Sequence, residues 1–386
     1  MNVCIAQNVS LSDHLALSTY LRSISKYLAI HEDINLILLP LKGTSIPDDI
    51  STNIEIHEID GNLYSIKGNI QYSYNLYKKL NEINKEKPID LVHCLYPNSS
   101  VFGAVFFKKR SPKTRIIYDV RSPWIDMSVE RGSISMYIAP IYRKIAYSTE
   151  VFLDRYVDEY IFITEGLKKL YQNKIKWNSK VISIIPSGVD LHSFSKKDPQ
   201  IIRTKYGVRK DDFLLGYIGV ISSTRKLNFI LRSLKELSSK NENYKLMFVG
   251  NGDDKENLEK ISSELEIENK VIFTNKINYE YIPYFTSAFD VGICHLPDNL
   301  IFRYSFPLKI LEYLACEIPV LASDIKAHRD ILSETGNIYL YNDEMSFIHQ
   351  IDKIKNDNDN SNITNVDNYD WSVISQKIIN QWHMNS

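Results

Sequence analysis

Between residues 213 and 220 the sequence reads Phe213-Leu214-Leu215-Gly216-Tyr217-Ile218-Gly219-Val220, a short segment that is apolar on both faces. This pattern indicates a parallel strand covered by helices on both sides. A polar turn follows, and 227–238 then carry apolar residues at helical spacing. A strand, a turn and an amphipathic helix in this order form one unit of a doubly wound α/β sheet. This unit decides the fold that we expect.

The same alternation repeats along the chain, as in Arg115-Ile116-Ile117-Tyr118, which is again apolar on both faces. We predict strands at 2–6, 34–40, 54–59, 89–95, 115–120, 158–163 and 180–185, and then at 213–219, 245–249, 270–274, 290–294, 319–323 and 337–341. Helical periodicity is clearest over 227–238 and 256–266. The predicted fold class is therefore α/β with doubly wound sheets.

The chain has 386 residues, enough for two domains. Turn residues at 186–190 and a polar stretch at 195–199 mark a linker, and 355–368 is polar and loop-like. A last amphipathic helix is expected from Trp371 to about Trp382. The predicted domain limits are 1–188, 189–368 and a terminal segment at 369–386.

The composition is globular, with 44% hydrophobic and 24% charged residues and a formal charge of −1. This balance gives no overall field that would attract nucleic acid. The four cysteines lack metal-ligand spacing, so we expect buried free thiols. No signal peptide and no apolar run of about 18 residues is visible, so a soluble, cytoplasmic protein is expected.

The segment from Tyr304 to Ala322 is the most informative for function. Pro307 predicts a helix start, whose free amides suit a phosphate. Lys309 and Glu312 lie three residues apart on one face of that helix, and a carboxylate there can accept two ribose hydroxyls. The alternative is an ordinary surface Lys–Glu pair on a core helix, and this alternative stays open.

A second cluster follows the strand at 213–219. Arg225 and Lys226 are adjacent cations, preceded by three small hydroxyl residues at 222–224. Ligands of open α/β sheets bind at the carboxyl ends of the strands, and these residue types suit a diphosphate. Solvated charges on a surface loop are the alternative interpretation.

Several segments together resemble the retaining glycosyltransferases of family four, which have the GT-B fold. They are 185–194, 249–252, 275–284 and 369–371 together with the two clusters above. The resemblance spans most of the chain and is densest over 181–330. It implies two Rossmann-like domains facing a central cleft, an acceptor site in the first, a nucleotide-sugar site in the second, and a terminal helix that crosses back to the first.

By this resemblance Arg225 and Lys226 bind the diphosphate, and Glu312 matches the second residue of a paired-glutamate motif and holds the ribose. The first glutamate of the pair, eight positions before Glu312, is replaced by Tyr304. The family also often has an arginine directly after the glycine that precedes the two cations, and this chain has Val220 there. Lys309 is expected to supply the missing polar contact; lost activity is the alternative. The predicted donor-binding residues are Gly219, Arg225, Lys226, Ile277, Tyr304, Ser305, Phe306, Pro307, Leu308, Lys309 and Glu312.

The first domain offers His93, at the end of a strand, and Arg121, just after another. Both occupy positions that face the cleft in the family, and with Lys309 they are the candidate catalytic residues. A histidine that ends a strand is more often structural, so that alternative stays open for His93. A guanidinium beside bound phosphates has an obvious use, which favours Arg121.

The resemblance thus implies sugar transfer from a nucleoside diphosphate donor, uridine rather than guanosine, to a glycan or lipid-linked acceptor with retained configuration. Neither a metal nor another cofactor is expected, and no nucleic acid partner. The alternatives are a nucleotide-sugar epimerase on the same fold and a non-catalytic sugar-nucleotide-binding protein. The basic run 108–115 could touch anionic lipid on the inner face of a membrane, or be a solvated helix end.

Overall fold

The computed structural model describes residues 1–12, 16–43, 54–130, 132, 134–175, 180–240, 243–356 and 365–384. The chain divides into two compact units. Unit 1 comprises Met1–Ser187, Tyr304–Phe306 and Trp371–Ser386, and unit 2 comprises Gly188–Arg303 and Pro307–Asp370. The sequence places 304–306 in the second domain, whereas the structure groups them with unit 1. The physical reason is that Tyr304 and Phe306 pack against the apolar core of unit 1.

Unit 1 is built on a seven-stranded parallel sheet with the strand order β3-β2-β1-β4-β5-β6-β7. Its elements are β1 Asn2–Ser10, α1 Ala16–Leu28, β2 Asn35–Leu41, β3 Glu55–Ile56, α2 Ile66–Glu86, β4 Leu91–Leu95, α3 Ser99–Lys108, β5 Arg115–Val120, α4 Trp124–Glu130, α5 Ala139–Asp154, β6 Glu159–Phe162, α6 Glu165–Gln172 and β7 Val181–Ile184. Two apolar cores, one on each face of the sheet, hold the helices in place.

Unit 2 is built on a six-stranded parallel sheet with the order β10-β9-β8-β11-β12-β13. Its elements are α7 Gln200–Lys205, β8 Phe213–Ile218, α8 Asn228–Lys240, β9 Tyr244–Val249, α9 Lys255–Glu264, β10 Val271–Phe273, α10 Ile282–Ser287, β11 Val291–Cys294, α11 Leu300–Arg303, α12 Leu308–Ala315, β12 Val320–Ser323, α13 Lys326–Thr335, β13 Ile338–Tyr341 and α14 Glu344–Asn356. The predicted α/β class with two Rossmann-like sheets is confirmed.

Two strands, β1 and β3, differ in length from the sequence prediction by four residues, and the others by at most two. β1 continues to Ser10, beyond the predicted end at residue 6, because its polar residues Gln7 and Asn8 are fully buried. β3 is shortened to Glu55–Ile56, which pair only with Ile37 and Leu38 at the edge of the sheet. In the polar stretch 355–368, α14 extends to Asn356 and a 3-10 turn covers Asp367–Tyr369, while 357–364 lie outside the described residues.

The last helix, α15 (Trp371–His383), packs on unit 1 through the core that lies on the α1 face of the sheet. Its Trp382 side chain is fully buried. Gln381 bonds Ser183 and Glu159, and the Arg115 guanidinium donates to the carbonyl oxygen of Trp382. Apolar burial and these hydrogen bonds together tie the end of α15 to strands β5, β6 and β7.

The four cysteines are free and buried, as the sequence predicts. Within the described ranges, no helix combines the length and the apolar character that crossing a bilayer requires. The same ranges hold no group of three or more histidine, cysteine or acidic side chains arranged to bind a metal ion.

Candidate active site

The strand order of unit 2 reverses between β8 and β11, which lie side by side at the centre of the sheet. Val291, Gly292 and Ile293 of β11 pair with Leu215, Gly216 and Tyr217 of β8. In open α/β sheets this switch point, at the carboxyl ends of the strands, is where ligands bind. The loops that leave β8 and β11 there therefore form the candidate site of unit 2.

The loop after β8 begins with Gly219, whose φ of +151° is a conformation that L side chains rarely adopt. Its carbonyl oxygen lies so close to Gly250, after β9, that a Cβ on Gly250 would stand 2.0 Å from it. The amide of Gly219 donates to the carbonyl of Val249 over 3.0 Å. The two loops thus support each other by backbone contact, which sets the path of the chain into the basic turn.

The basic turn is a 3-10 helix over Ser223–Arg225, closed by Lys226 at φ 53° and ψ 46°. Arg225 is half-buried, with its guanidinium carbon 5.7 Å from the ring centre of Phe302. Lys226 is exposed. Neither cation forms an ion pair with a carboxylate of the described residues. The turn therefore presents two positive charges that no acidic side chain in that part of the chain neutralises.

The small hydroxyl residues of this turn have structural partners. Ser222 and Thr224 lie 3.0 Å apart through their hydroxyl oxygens, and Ser223 donates to Asp253 over 3.0 Å. The hydroxyls therefore hold the shape of the turn, and the two cations are the groups that it offers to an anion.

Glu312 lies on α12, which begins after Pro307. Its side chain is only 6% exposed, and each carboxylate oxygen accepts a hydrogen bond: Oε1 from the Tyr279 hydroxyl over 2.8 Å and Oε2 from Lys309 Nζ over 2.9 Å. The predicted proximity of Lys309 and Glu312 is present in the structure. A carboxylate held from both sides has one orientation, and its remaining lone pairs can accept further hydrogen bonds.

Tyr279 is a residue whose role the sequence analysis missed, although it lies in the segment 275–284 noted there. It sits on a 3-10 turn over Tyr279–Tyr281, and its ring lies 5.4 Å from that of Phe194. The predicted Ile277 precedes it and is partly buried. A tyrosine after an edge strand is common, and only the tertiary structure brings its hydroxyl to Glu312.

His295, the residue after β11, is a second residue that the sequence analysis missed. Its Nδ1 lies 2.6 Å from the Tyr341 hydroxyl, and its ring lies 4.5 Å from Phe229 in the first turn of α8. Burial, followed by the positive charges of His328, Arg225 and Lys226, lowers the pKa of His295 to about 4. The histidine is therefore neutral near pH 7, chiefly because it is buried.

The predicted donor-binding residues fall into two groups. Pro307, Leu308, Lys309 and Glu312 lie in unit 2 with Gly219, the basic turn and Ile277, whereas Tyr304, Ser305 and Phe306 belong to unit 1. Within unit 1 the Thr164 hydroxyl donates to the Tyr304 carbonyl over 3.3 Å. The Thr164 side chain also caps α6, by accepting a hydrogen bond from the Leu167 amide.

In unit 1, His93 is fully buried in the middle of β4, and not at the strand end that the sequence predicts. It uses both ring nitrogens. The Trp382 indole donates to Nδ1 over 3.1 Å, and Nε2 lies 3.3 Å from Asp119 Oδ2. An indole N–H can only donate, so Nδ1 must accept and the proton must sit on Nε2. His93 is thus a neutral histidine that links α15 to Asp119.

Arg121 is 6% exposed and forms the other half of this network. Its Nε lies 2.8 Å from Asp119 Oδ1, and its guanidinium carbon lies 3.7 Å from the ring centre of Tyr20. Burial alone would raise the pKa of Asp119, but Arg121 and His93 hold it below its ordinary value. One guanidinium nitrogen, Nη1, is buried and has no hydrogen-bond partner among the described residues. This nitrogen is a donor that Arg121 can still use.

Sequence comparison assigns the two halves of the chain to known families. Residues 198–368 match the family model described as Glycosyl transferases group 1, and residues 17–193 match the one described as Glycosyltransferase Family 4. Together the two matches leave out only 1–16, 194–197 and 369–386. Both halves of the chain therefore match models of glycosyltransferase families.

The individual relatives have low sequence identity with this chain. An uncharacterised glycosyltransferase of Methanocaldococcus jannaschii is 25% identical over 68% of this chain and 62% of its own length, so the chain spans less than two thirds of that relative. The capsular polysaccharide biosynthesis glycosyltransferase CapM of Staphylococcus aureus is 22% identical over 73% of this chain and 71% of its own.

Among solved structures, Anabaena HepE in complex with UDP and glucose superposes with a TM-score of 0.74 at 14% identity, covering 99% of both chains. At this identity the superposition shows the fold alone, and that fold is GT-B.

Proposed function

We propose that this chain is a group 1 glycosyltransferase, which transfers a sugar from a nucleoside diphosphate donor to a glycan or lipid-linked acceptor. In this proposal the nucleoside is uridine in preference to guanosine, and the configuration at the anomeric carbon is retained. The proposal rests on the charged side chains at and near the switch point of unit 2. Two cations, Arg225 and Lys226, follow β8 there, and neither pairs with a carboxylate of the described residues. Glu312, oriented by Tyr279 and Lys309, lies in the same unit on α12.

The two cations suit the leaving group of such a reaction. Cleavage of the bond between sugar and diphosphate leaves the electron pair on a phosphate oxygen, where negative charge grows in the transition state. Positioned cations stabilise that developing charge without reorganising. The Arg225 guanidinium already lies over the Phe302 ring, so less side-chain freedom is lost when an anion binds. In this proposal no metal ion takes part.

Glu312 suits the nucleoside end of the donor. An ionised carboxylate can accept about four hydrogen bonds, two on each oxygen. Tyr279 and Lys309 use one position on each oxygen, and the other positions can accept the two ribose hydroxyls. Lys309 then has two roles in the proposal: it orients Glu312, and it supplies the polar contact that Tyr304, in place of a glutamate, does not.

Similarity to named proteins supports this choice of substrates. Similar structures include HepE in complex with UDP-glucose, and relatives include CapM, of capsular polysaccharide biosynthesis, and an alpha-monoglucosyldiacylglycerol synthase of Streptococcus pneumoniae. The names of these proteins refer to a nucleotide sugar, a polysaccharide and a glycolipid. They motivate the same classes of donor and acceptor for this chain.

The test is incubation of the purified protein with a mixture of UDP- and GDP-sugars and extracted glycolipids, followed by mass spectrometry and NMR of the product. A product one sugar heavier than an acceptor, with the anomeric configuration of the donor, is the expected result. Conversion of the donor alone would identify an epimerase. Nucleotide binding without transfer to any acceptor would instead identify a sugar-nucleotide-binding protein, and activity that EDTA abolishes would contradict metal independence.

A further inference from the structure

Helix α5 of unit 1 has a stripe of large apolar side chains on the face that points away from the core. Ile141, Ile145 and Phe152 are 63%, 61% and 39% exposed, and Ile138, just before the helix, is 52% exposed. Their spacing of three, four and seven residues places them on one side of a helix. The buried residues Ala139, Ala146 and Leu153 lie about 100° further round the helix, on the side that packs against unit 1.

The apolar surface extends beyond the helix at both ends. Met136 and Tyr137, in the turn before α5, are 75% and 96% exposed. At the other end the Phe152 ring lies 5.6 Å from that of Tyr156, and Lys109 of the adjacent loop lies over the rings of both Tyr156 and Phe106. We call this whole area the α5 surface, formed by Met136, Tyr137, Ile138, Ile141, Ile145, Phe152, Tyr156 and Phe106.

Cations border the α5 surface. Lys144 and Arg155 are exposed on the same flank of the stripe, and Lys109 is exposed at its end. The acidic residues of 134–156 are directed elsewhere: Glu150 is buried, and Asp154 accepts a hydrogen bond from Tyr160. An apolar stripe bordered by cations is the pattern of a helix that lies in the interface of an anionic bilayer.

The basic run 108–115 contributes less to this border than its sequence indicates. Lys108 pairs with Asp158, Arg110 lies 5.5 Å over the Tyr77 ring, and Arg115 pairs with Glu159. Lys109 is the member of the run that reaches the α5 surface. Of the two interpretations that the sequence left open for this run, these contacts favour the solvated helix end over a contact with lipid.

We propose that unit 1 binds the surface of an anionic lipid bilayer through the α5 surface, with the apolar side chains in the interface and Lys109, Lys144 and Arg155 against the lipid phosphates. A second copy of the chain fits this surface less well. A two-fold contact would place the same cations opposite one another, with no exposed acidic side chain of 134–156 between them. The proposal concerns unit 1 only and does not depend on the donor site of unit 2.

The test is co-sedimentation with vesicles of phosphatidylcholine, with or without about one third phosphatidylglycerol. Wild type should bind the anionic vesicles, and more weakly as salt is raised. Replacing three exposed side chains, I141S/I145S/F152S, should weaken binding at least about tenfold, because the buried apolar area is lost. K144Q/R155Q should weaken binding to anionic vesicles and leave binding to neutral ones unchanged.

The matched control is I201S/M345S, which removes apolar side chains of unit 2 that are 52% and 80% exposed, and it should bind like wild type. Because all changed side chains are exposed, the variants should melt within a few degrees of wild type, and UDP should shift their melting temperatures equally. Equal vesicle binding by wild type and I141S/I145S/F152S would overturn the proposal. So would a wild-type dimer, seen by light scattering, that this variant converts to a monomer.

Discussion

The indole nitrogen of Trp382 donates a hydrogen bond to Nδ1 of His93 over 3.1 Å, joining two residues that are 289 positions apart in the chain. His93 therefore has no ring nitrogen left for a substrate, since Nε2 faces Asp119. Of the three candidate catalytic residues, Arg121 keeps a buried nitrogen without a partner among the described residues, and Lys309 holds Glu312. These contacts favour Arg121 and Lys309 over His93 as residues that touch substrate.

Replacing Trp382 by phenylalanine should destabilise unit 1 by about 2–5 kcal/mol. The smaller phenylalanine ring leaves a cavity where the indole was, and Nδ1 of His93 becomes a buried acceptor without a donor. Urea unfolding followed by circular dichroism measures the loss. The control is W371F on the same helix, where Trp371 is also buried and packs 5.7 Å from the Tyr20 ring. Equal losses for both variants would contradict a specific contribution of the His93 hydrogen bond.

Replacing Arg225 and Lys226 together by alanine should weaken UDP binding by a hundredfold or more. Two charge-assisted hydrogen bonds are lost, each worth about 1.5–3 kcal/mol. Binding of uridine, which has no phosphate, should change by no more than about twofold. Isothermal titration calorimetry with both ligands separates these cases, and K260A, an exposed lysine on α9, is the control. If UDP and uridine lose affinity equally, the cations do not hold the diphosphate.

Replacing Glu312 by glutamine should lower the affinity for the nucleotide sugar by roughly ten- to a hundredfold, because the amide keeps the shape but offers one acceptor oxygen in place of two. A 2′-deoxy donor already lacks one of the bonds, so its affinity should fall less. Stability should change little. E317Q, an exposed neighbour that pairs with Lys196, should bind normally. Equal losses for ribose and deoxyribose donors would show that Glu312 does not bind the ribose and serves only as the ion-pair partner of Lys309.

Glu150 gives unit 1 a pH-dependent stability. The residue is 1% exposed, accepts from Asn98 over 3.2 Å, and burial raises its pKa from 4.5 to about 8. The folded state therefore holds a proton that the unfolded state releases above pH 4.5. The resulting stabilisation is complete below pH 4.5 and is lost as the pH rises to about 8, at about 1.4 kcal/mol for each pH unit.

In E150Q this dependence should disappear, because the amide does not titrate. The free energy of unfolding of E150Q relative to wild type should thus rise between pH 5 and pH 8, as measured by urea unfolding at several pH values. E165Q removes an exposed carboxylate of α6 that pairs with Lys168, and it should leave the slope unchanged. Parallel pH profiles for E150Q and wild type would contradict the protonated state of Glu150.

The strands of both sheets were predictable because burial on both faces leaves a continuous apolar run, as in β5 (Arg115–Val120), which the prediction matches residue for residue. The end of β1 was not predictable, because Gln7 and Asn8 are polar and yet fully buried. Asn8 is accommodated by hydrogen bonds to Asn69 and Ser99. Such partners lie far away in the sequence, so local pattern cannot reveal them.

In the candidate site, local spacing was enough to bring Lys309 and Glu312 together, because three residues span nearly one helical turn. Local spacing was not enough for Tyr279 or His295, because their partners Glu312 and Tyr341 lie 33 and 46 residues away in the sequence and only the folded sheet brings them together. Residues 304–306 were assigned to the second domain because the chain on either side belongs there, whereas the apolar rings of Tyr304 and Phe306 pack on the core of unit 1. Tertiary packing overrides sequence proximity at that point.

The packing of α15 on unit 1 has a consequence for biosynthesis. Residues 188–303 and 307–370 form unit 2, and a ribosome must translate through them before it reaches Trp371. At typical rates this takes on the order of tens of seconds. During that time the α1 face of the first sheet lacks the side chains of Ile374, Ile378 and Trp382, which later fill its core. The nascent first half therefore carries an uncovered apolar face, and it should be the stage of synthesis at which chaperones are most needed.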